Sequence, residues 1–183
     1  MTRAMTRALV SAAFLSGTLA LATRSSGQGT DEPPGPVPTA DQLDQEAARL
    51  KDSVPEYARA VRLLEQSVAL RRADDPRAAE CLWWAAWFSY DRLDLPGART
   101  FMEQAANRSL ALGNIFAAAD DELDAGLVAQ EEGNAAEVER LGEKVLMLAR
   151  SPALSAAERA SILSRIAYRE HTSPRWAVGR PAR

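Results

Sequence analysis

From Thr39 onward the apolar residues of this chain recur every three or four positions, and the alternation that marks a strand is absent. The segment from Ala135 shows this most plainly. Val138, Leu141, Val145 and Leu148 share one helical face, while Glu137, Glu139, Arg140, Glu143 and Lys144 lie off it. Upstream, Val61, Leu64 and Val68 repeat that geometry, with Leu63 and Leu70 widening the stripe. Punctuation then divides the region. A side-chain oxygen ahead of a helix satisfies its free N–H groups, and an acid or amide three residues on reaches back. Thr39 with Gln42, Ser53 with Glu56, Asn134 with Glu137 and Ser155 with Glu158 fit this rule. Asp75-Pro76 adds a start, since proline loses nothing in a first turn, and Gly113-Asn114 and Gly133-Asn134 each give a stop followed by a start. Together these signals predict seven helices, over residues 40–51, 54–73, 76–92, 96–112, 115–132, 135–149 and 156–169, and an all-α fold.

Three stretches beginning near Asp41, Ala79 and Ala119 pass through the same order of residue types, at spacings of 38 and 40 residues. Self-similarity at such a period marks stacked helical units that bury their apolar faces on one another. The middle stretch carries Leu82, Ala85-Ala86, Ala98, Met102 and Ala105; the third carries Ala125-Gly126, Val138, Gly142 and Val145; the first carries Ala47-Ala48, Ala60, Leu64 and Ser67. Small residues at these places let helix axes approach to about 8 Å. On these residues the chain resembles the tetratricopeptide repeat family from Thr39 to about Arg150, with the helix from Ala156 as half a fourth unit. The resemblance implies antiparallel helical hairpins stacked as a short α-solenoid over residues 39–170, closed by a capping helix. Departures accompany it: the spacings exceed the family's usual length of about 34, and Asp44 and Glu122 occupy places where a large apolar residue is expected.

The aromatic residues concentrate in one helix, where Leu82-Trp83-Trp84-Ala85-Ala86-Trp87-Phe88 holds three of the four tryptophans. A helix apolar on every side has to be covered on every side. With Leu82, Ala85 and Ala86 assigned to hairpin contacts, Trp83, Trp87 and Tyr90 point elsewhere. In the resembled family such first-helix positions line a concave groove that holds extended peptides, which makes these three the candidate partner-binding residues. The other reading packs the same rings against the first two helices and leaves no groove.

Other chemistry is sparse. The acidic run Asp120, Asp121, Glu122 and Asp124 reads as a solvated face near a helix N-terminus, since neither a calcium-loop glycine nor histidine ligands accompany it. Cys81, the single cysteine, precedes Leu82-Trp83-Trp84 and reads as a packed thiol. His171, the single histidine, sits at the end of the last helix ahead of a basic tail, residues 171–183, with Arg175, Arg180 and Arg183. Asn107-Arg108-Ser109 matches the glycosylation triplet but falls inside a helix. With no nucleophile and base pair, phosphate loop or metal-ligand set, an enzyme is not expected, nor a cofactor or metal.

The N-terminus speaks to compartment. Arg3 and Arg7 precede an apolar run from Ala8 to Ala22 that is short for a bilayer, and Ala20-Leu21-Ala22 offers a small-x-small cleavage pattern. Residues 1–22 are therefore expected to be a secretory signal peptide cut after Ala22, with an uncleaved anchor as the alternative. Residues 23–38, rich in Ser, Gly and Pro, form an extended linker. Loss of the leader turns 22 basic against 25 acidic residues into 20 against 25, a net charge of about −5. Such a chain lacks the basic stripe of a nucleic-acid binder. The expectation is an exported scaffold, periplasmic or extracellular and not stably inserted in the membrane, that binds a protein or peptide in the cell envelope. A small-ligand carrier with an aromatic-walled pocket and a self-associating structural module remain the alternatives.

Overall fold

The computed structural model describes residues 37–172, with side chains to Tyr168. The expected leader at 1–22, nearly all of the linker, the tail beyond Thr172 and the side chain of His171 lie outside the described residues. Among the described residues all regular structure is helical. Seven α-helices follow in order: α1 (Ala40–Arg49), α2 (Tyr57–Leu70), α3 (Pro76–Asp91), α4 (Leu95–Ala111), α5 (Ile115–Glu131), α6 (Ala135–Ala149) and α7 (Ala156–Thr172). None is long and apolar enough to cross a membrane.

Capping chemistry sets the starts. Thr39 accepts from the Gln42 N–H while the Gln42 side chain accepts from the Thr39 N–H at 2.8 Å, and Ser155 and Glu158 make the same reciprocal pair. The expected box at Ser53 and Glu56 does not form. Val54-Pro55-Glu56 makes a 3₁₀ turn without a side-chain cap, and the α-helix begins only at Tyr57. Proline disfavours helical backbone in the residue before it, here Val54. α2 also stops at Leu70, short of the expected 73, because Arg71 leaves the helix in extended conformation (ψ 148°) and its guanidinium meets three carboxylates.

Three of the connections are one design. After α3, α4 and α5 the chain turns through Leu93, Gly113 and Gly133, all at positive φ (63°, 72° and 71°) and evenly spaced by 20 residues. In each, that residue's N–H donates to the carbonyl three back, and the following N–H donates to the carbonyl five back: Asp94 to Ser89, Asn114 to Ser109, Asn134 to Ala129. This double closure satisfies the last carbonyls of one helix. The same Asp94, Asn114 and Asn134 then accept from the third N–H of the next helix. One residue thus ends a helix and begins another. Glycine suits the left-handed position, whereas Leu93 takes it at a cost of about 1 kcal/mol and with its side chain 84% exposed. Leu93→Gly is expected to raise stability by about that amount, read as a higher urea midpoint with unchanged slope.

Each helix packs on the next in the chain, and α7 packs on both α5 and α6. Small residues make these approaches possible: Ala47, Ala60, Ser67, Ala85, Ala86, Ala98, Ala105 and Ala125 are all at most 1% exposed. Ala48, expected among them, faces solvent. Polar contacts also tie four of these helices to the next but one. Cys81 donates to Asp44 at 3.2 Å, joining α1 to α3; Tyr90 donates to Glu131 at 2.5 Å, joining α3 to α5. Arg140 donates to Glu103 at 2.6 Å, joining α4 to α6, and Arg165 to Asp124 at 2.9 Å, joining α5 to α7.

Candidate functional site

The aromatic helix α3 is fixed at its start by Asp75, whose side chain accepts from the Arg77 N–H at 2.9 Å, and at its end by the Leu93 turn. Its rings form a continuous edge-to-face chain, an arrangement that aromatic quadrupoles favour. Trp83 and Trp87 lie 5.8 Å apart at 67°, and Trp87 and Tyr90 lie 5.4 Å apart at 74°. The three residues singled out in the sequence are therefore brought together, but at different depths. Trp83 is 3% exposed, in a cluster with Leu82 and Ala105 against which Val68, Trp84 and Phe101 pack. It is not part of an exposed patch. Trp87 and Tyr90 are partly exposed, and both pack against the larger core that runs from Ala86 to Ile166. Trp84 turns the other way, toward Phe88 and through it Tyr57.

Tyr90 carries the polar end of the chain of rings. Its hydroxyl donates to the exposed Glu131, and this bond, reinforced by burial and by the charges of Glu131 and Asp91, pushes the phenol up to about 12. The phenol therefore stays neutral across the ordinary pH range.

The acidic run on α5 overturns its sequence reading. Instead of a solvated face, residues 117–126 are buried without a break, and Asp120, Asp121, Glu122 and Asp124 are 3%, 1%, 0% and 6% exposed. They point around the helix and meet different elements. Asp121 accepts from Ser109 on α4 at 3.3 Å. The Glu122 carboxylate is paired with Lys144 on α6, and the Asp120 and Asp124 carboxylates are both paired with Arg165 on α7. Burial pushes the Glu122 carboxyl above its ordinary value, with the Lys144 ammonium opposing. The physical reason for the correction is that α5 has neighbours on every side, so carboxylates at consecutive positions all fall inside.

A second buried node lies between α1, α2 and α3. The guanidinium of Arg71, 6% exposed, meets Asp41, Asp44 and Asp75 at 2.9, 2.5 and 2.7 Å. Burial works against its charge, but these carboxylates outweigh that and hold its pKa above the ordinary value. Cys81 lies in the same node. Burial, with the charge and hydrogen bond of Asp44, pushes its thiol up to about 12, which leaves almost no thiolate at neutral pH.

These carboxylates are answered by cations and hydroxyls of the same fold, and the described residues contain no group of three or more metal-type ligands. Trp87 and Tyr90, partly exposed, stand with Glu131 as an aromatic and acidic patch. Neither a protein-family model nor a curated protein sequence matches this chain.

Proposed function

We propose that this chain is an exported, non-catalytic helical-repeat scaffold, of the tetratricopeptide kind, that binds a protein or peptide partner in the cell envelope. The observation that carries this reading is the recurrence of polar ties between four helices and the next but one, at separations of 37 residues for Asp44 with Cys81, 41 for Tyr90 with Glu131, 37 for Glu103 with Arg140 and 41 for Asp124 with Arg165. These separations agree with the self-similarity of the sequence, as stacked hairpins of one repeat length require. Short turns between sequential helices favour antiparallel neighbours. Within this scaffold Trp87 and Tyr90 offer the contact surface, and Trp83 behind them supports their positions.

The test is capture from an envelope extract of the native cell, comparing wild type with Trp87→Ala and Tyr90→Ala after circular dichroism has shown unchanged helix content. The expected result is a protein retained by wild type and depleted by both variants. Equal behaviour of all three chains would count decisively against this surface.

A further inference from the structure

Across this domain, carboxylates that touch another side chain mostly touch a cation. Asp41, Asp44 and Asp75 meet Arg71, while Glu103, Glu132 and Glu137 meet Arg99 or Arg140. Glu131 departs from this. Its partner is a neutral phenol, the Tyr90 hydroxyl, and among the described residues no cation pairs with it. Asp91, exposed beside Tyr90, has no cation partner there either. A phenol orients a carboxylate but leaves its charge unanswered.

Two aromatic rings stand beside these acids. Trp87 and Tyr90 are partly exposed, and the faces of such rings attract ammonium and guanidinium groups. Lysine and arginine also lay their aliphatic stems along apolar surface while the head stays polar.

We propose that Trp87, Tyr90, Asp91 and Glu131 receive a lysine- or arginine-bearing segment of the partner protein, its stem on the rings and its charge at Glu131. The assignment rests on the partner-binding reading above and adds the chemistry of the partner.

Isothermal titration of the full chain with a nonapeptide of arginine, lysine, glycine and serine tests it, beside the same peptide carrying citrulline and acetyl-lysine. The expected result is saturable binding of the basic peptide alone, weakened about tenfold by Glu131→Gln and by Trp87→Leu, with Glu143→Gln, on the exposed face of α6, leaving it within about twofold. Equal weakening by Glu131→Gln and Glu143→Gln would reduce the effect to diffuse charge attraction and overturn the site. A gain of about tenfold or more on removing residues 173–183 would overturn it in favour of the chain's own arginine-bearing tail as occupant. If an envelope partner depends on Trp87 but is indifferent to Glu131→Gln, the cationic assignment falls while the partner-binding reading stands.

Discussion

Trp83→Ala is expected to destabilise the domain by about 4 kcal/mol, whereas Trp87→Ala costs clearly less. Trp83 is 3% exposed and its indole fills the space among Leu82, Val68, Phe101 and Ala105. Removing it leaves a cavity that the surroundings cannot close, because Ala85 and Ala86 already hold α3 in tight contact with its neighbours. Trp87 is partly exposed, so solvent fills part of the space its ring vacates. Urea unfolding followed by far-ultraviolet circular dichroism measures both. Since small domains have only about 5–15 kcal/mol in total, Trp83→Ala is expected to sit close to unfolding. Equal, small losses for the two variants would show that Trp83 is not core. The contrast also decides how the proposed binding is probed: Trp87 and Tyr90 are the positions to vary, while a change at Trp83 reports on folding first.

Lys144→Met is expected to cost about 3 kcal/mol, and Glu122→Leu combined with Lys144→Met to recover most of that loss. Glu122 is fully buried, and the Lys144 ammonium is its counter-charge. Taking the ammonium away strands a carboxylate in an apolar interior, while replacing both ends removes the desolvation penalty together with the attraction. The pH dependence has a definite sign. The folded carboxyl of Glu122 sits above its ordinary value, so the fold holds its proton more tightly than the unfolded chain does. That contribution is fully present below the unfolded pKa and is lost as pH rises through the folded one. The defect of Lys144→Met is therefore expected to shrink as pH falls, seen as converging urea midpoints for variant and wild type. A defect that grows toward acid would place the ionised carboxylate, not the neutral acid, as the form the fold prefers.

The helices were legible because their signals are local. Thr39 with Gln42, Asp75-Pro76 and Ser155 with Glu158 act within one turn, and six of the expected starts lie within a residue of those found. What failed depends on residues far along the chain. Arg71 leaves α2 to reach Asp41 and Asp44 on α1, which no window around Leu70 contains. The acids of α5 read as solvated because their cations come from α6 and α7, Arg165 standing 41 residues from Asp124. A usable signal was present: Ala117, Ala118 and Ala119 before the run and Ala125 and Gly126 after it leave no bulky face, as a helix hemmed in all round requires. The depth of Trp83 was not legible either, since helical spacing tells which residues share a face and not how much of that face is covered.

The interior acids of α5 have one more consequence. A helix buried on every side would ordinarily be apolar on every side, and a 17-residue apolar stretch competes for lipid whenever the chain is unfolded near a bilayer. Each aspartate near the middle of such a stretch costs about 3 kcal/mol in hydrocarbon. Asp120, Asp121, Glu122 and Asp124 thus weigh against α5 partitioning into lipid from the unfolded chain, whereas in the fold Lys144 stands against Glu122, and Arg165 against Asp120 and Asp124.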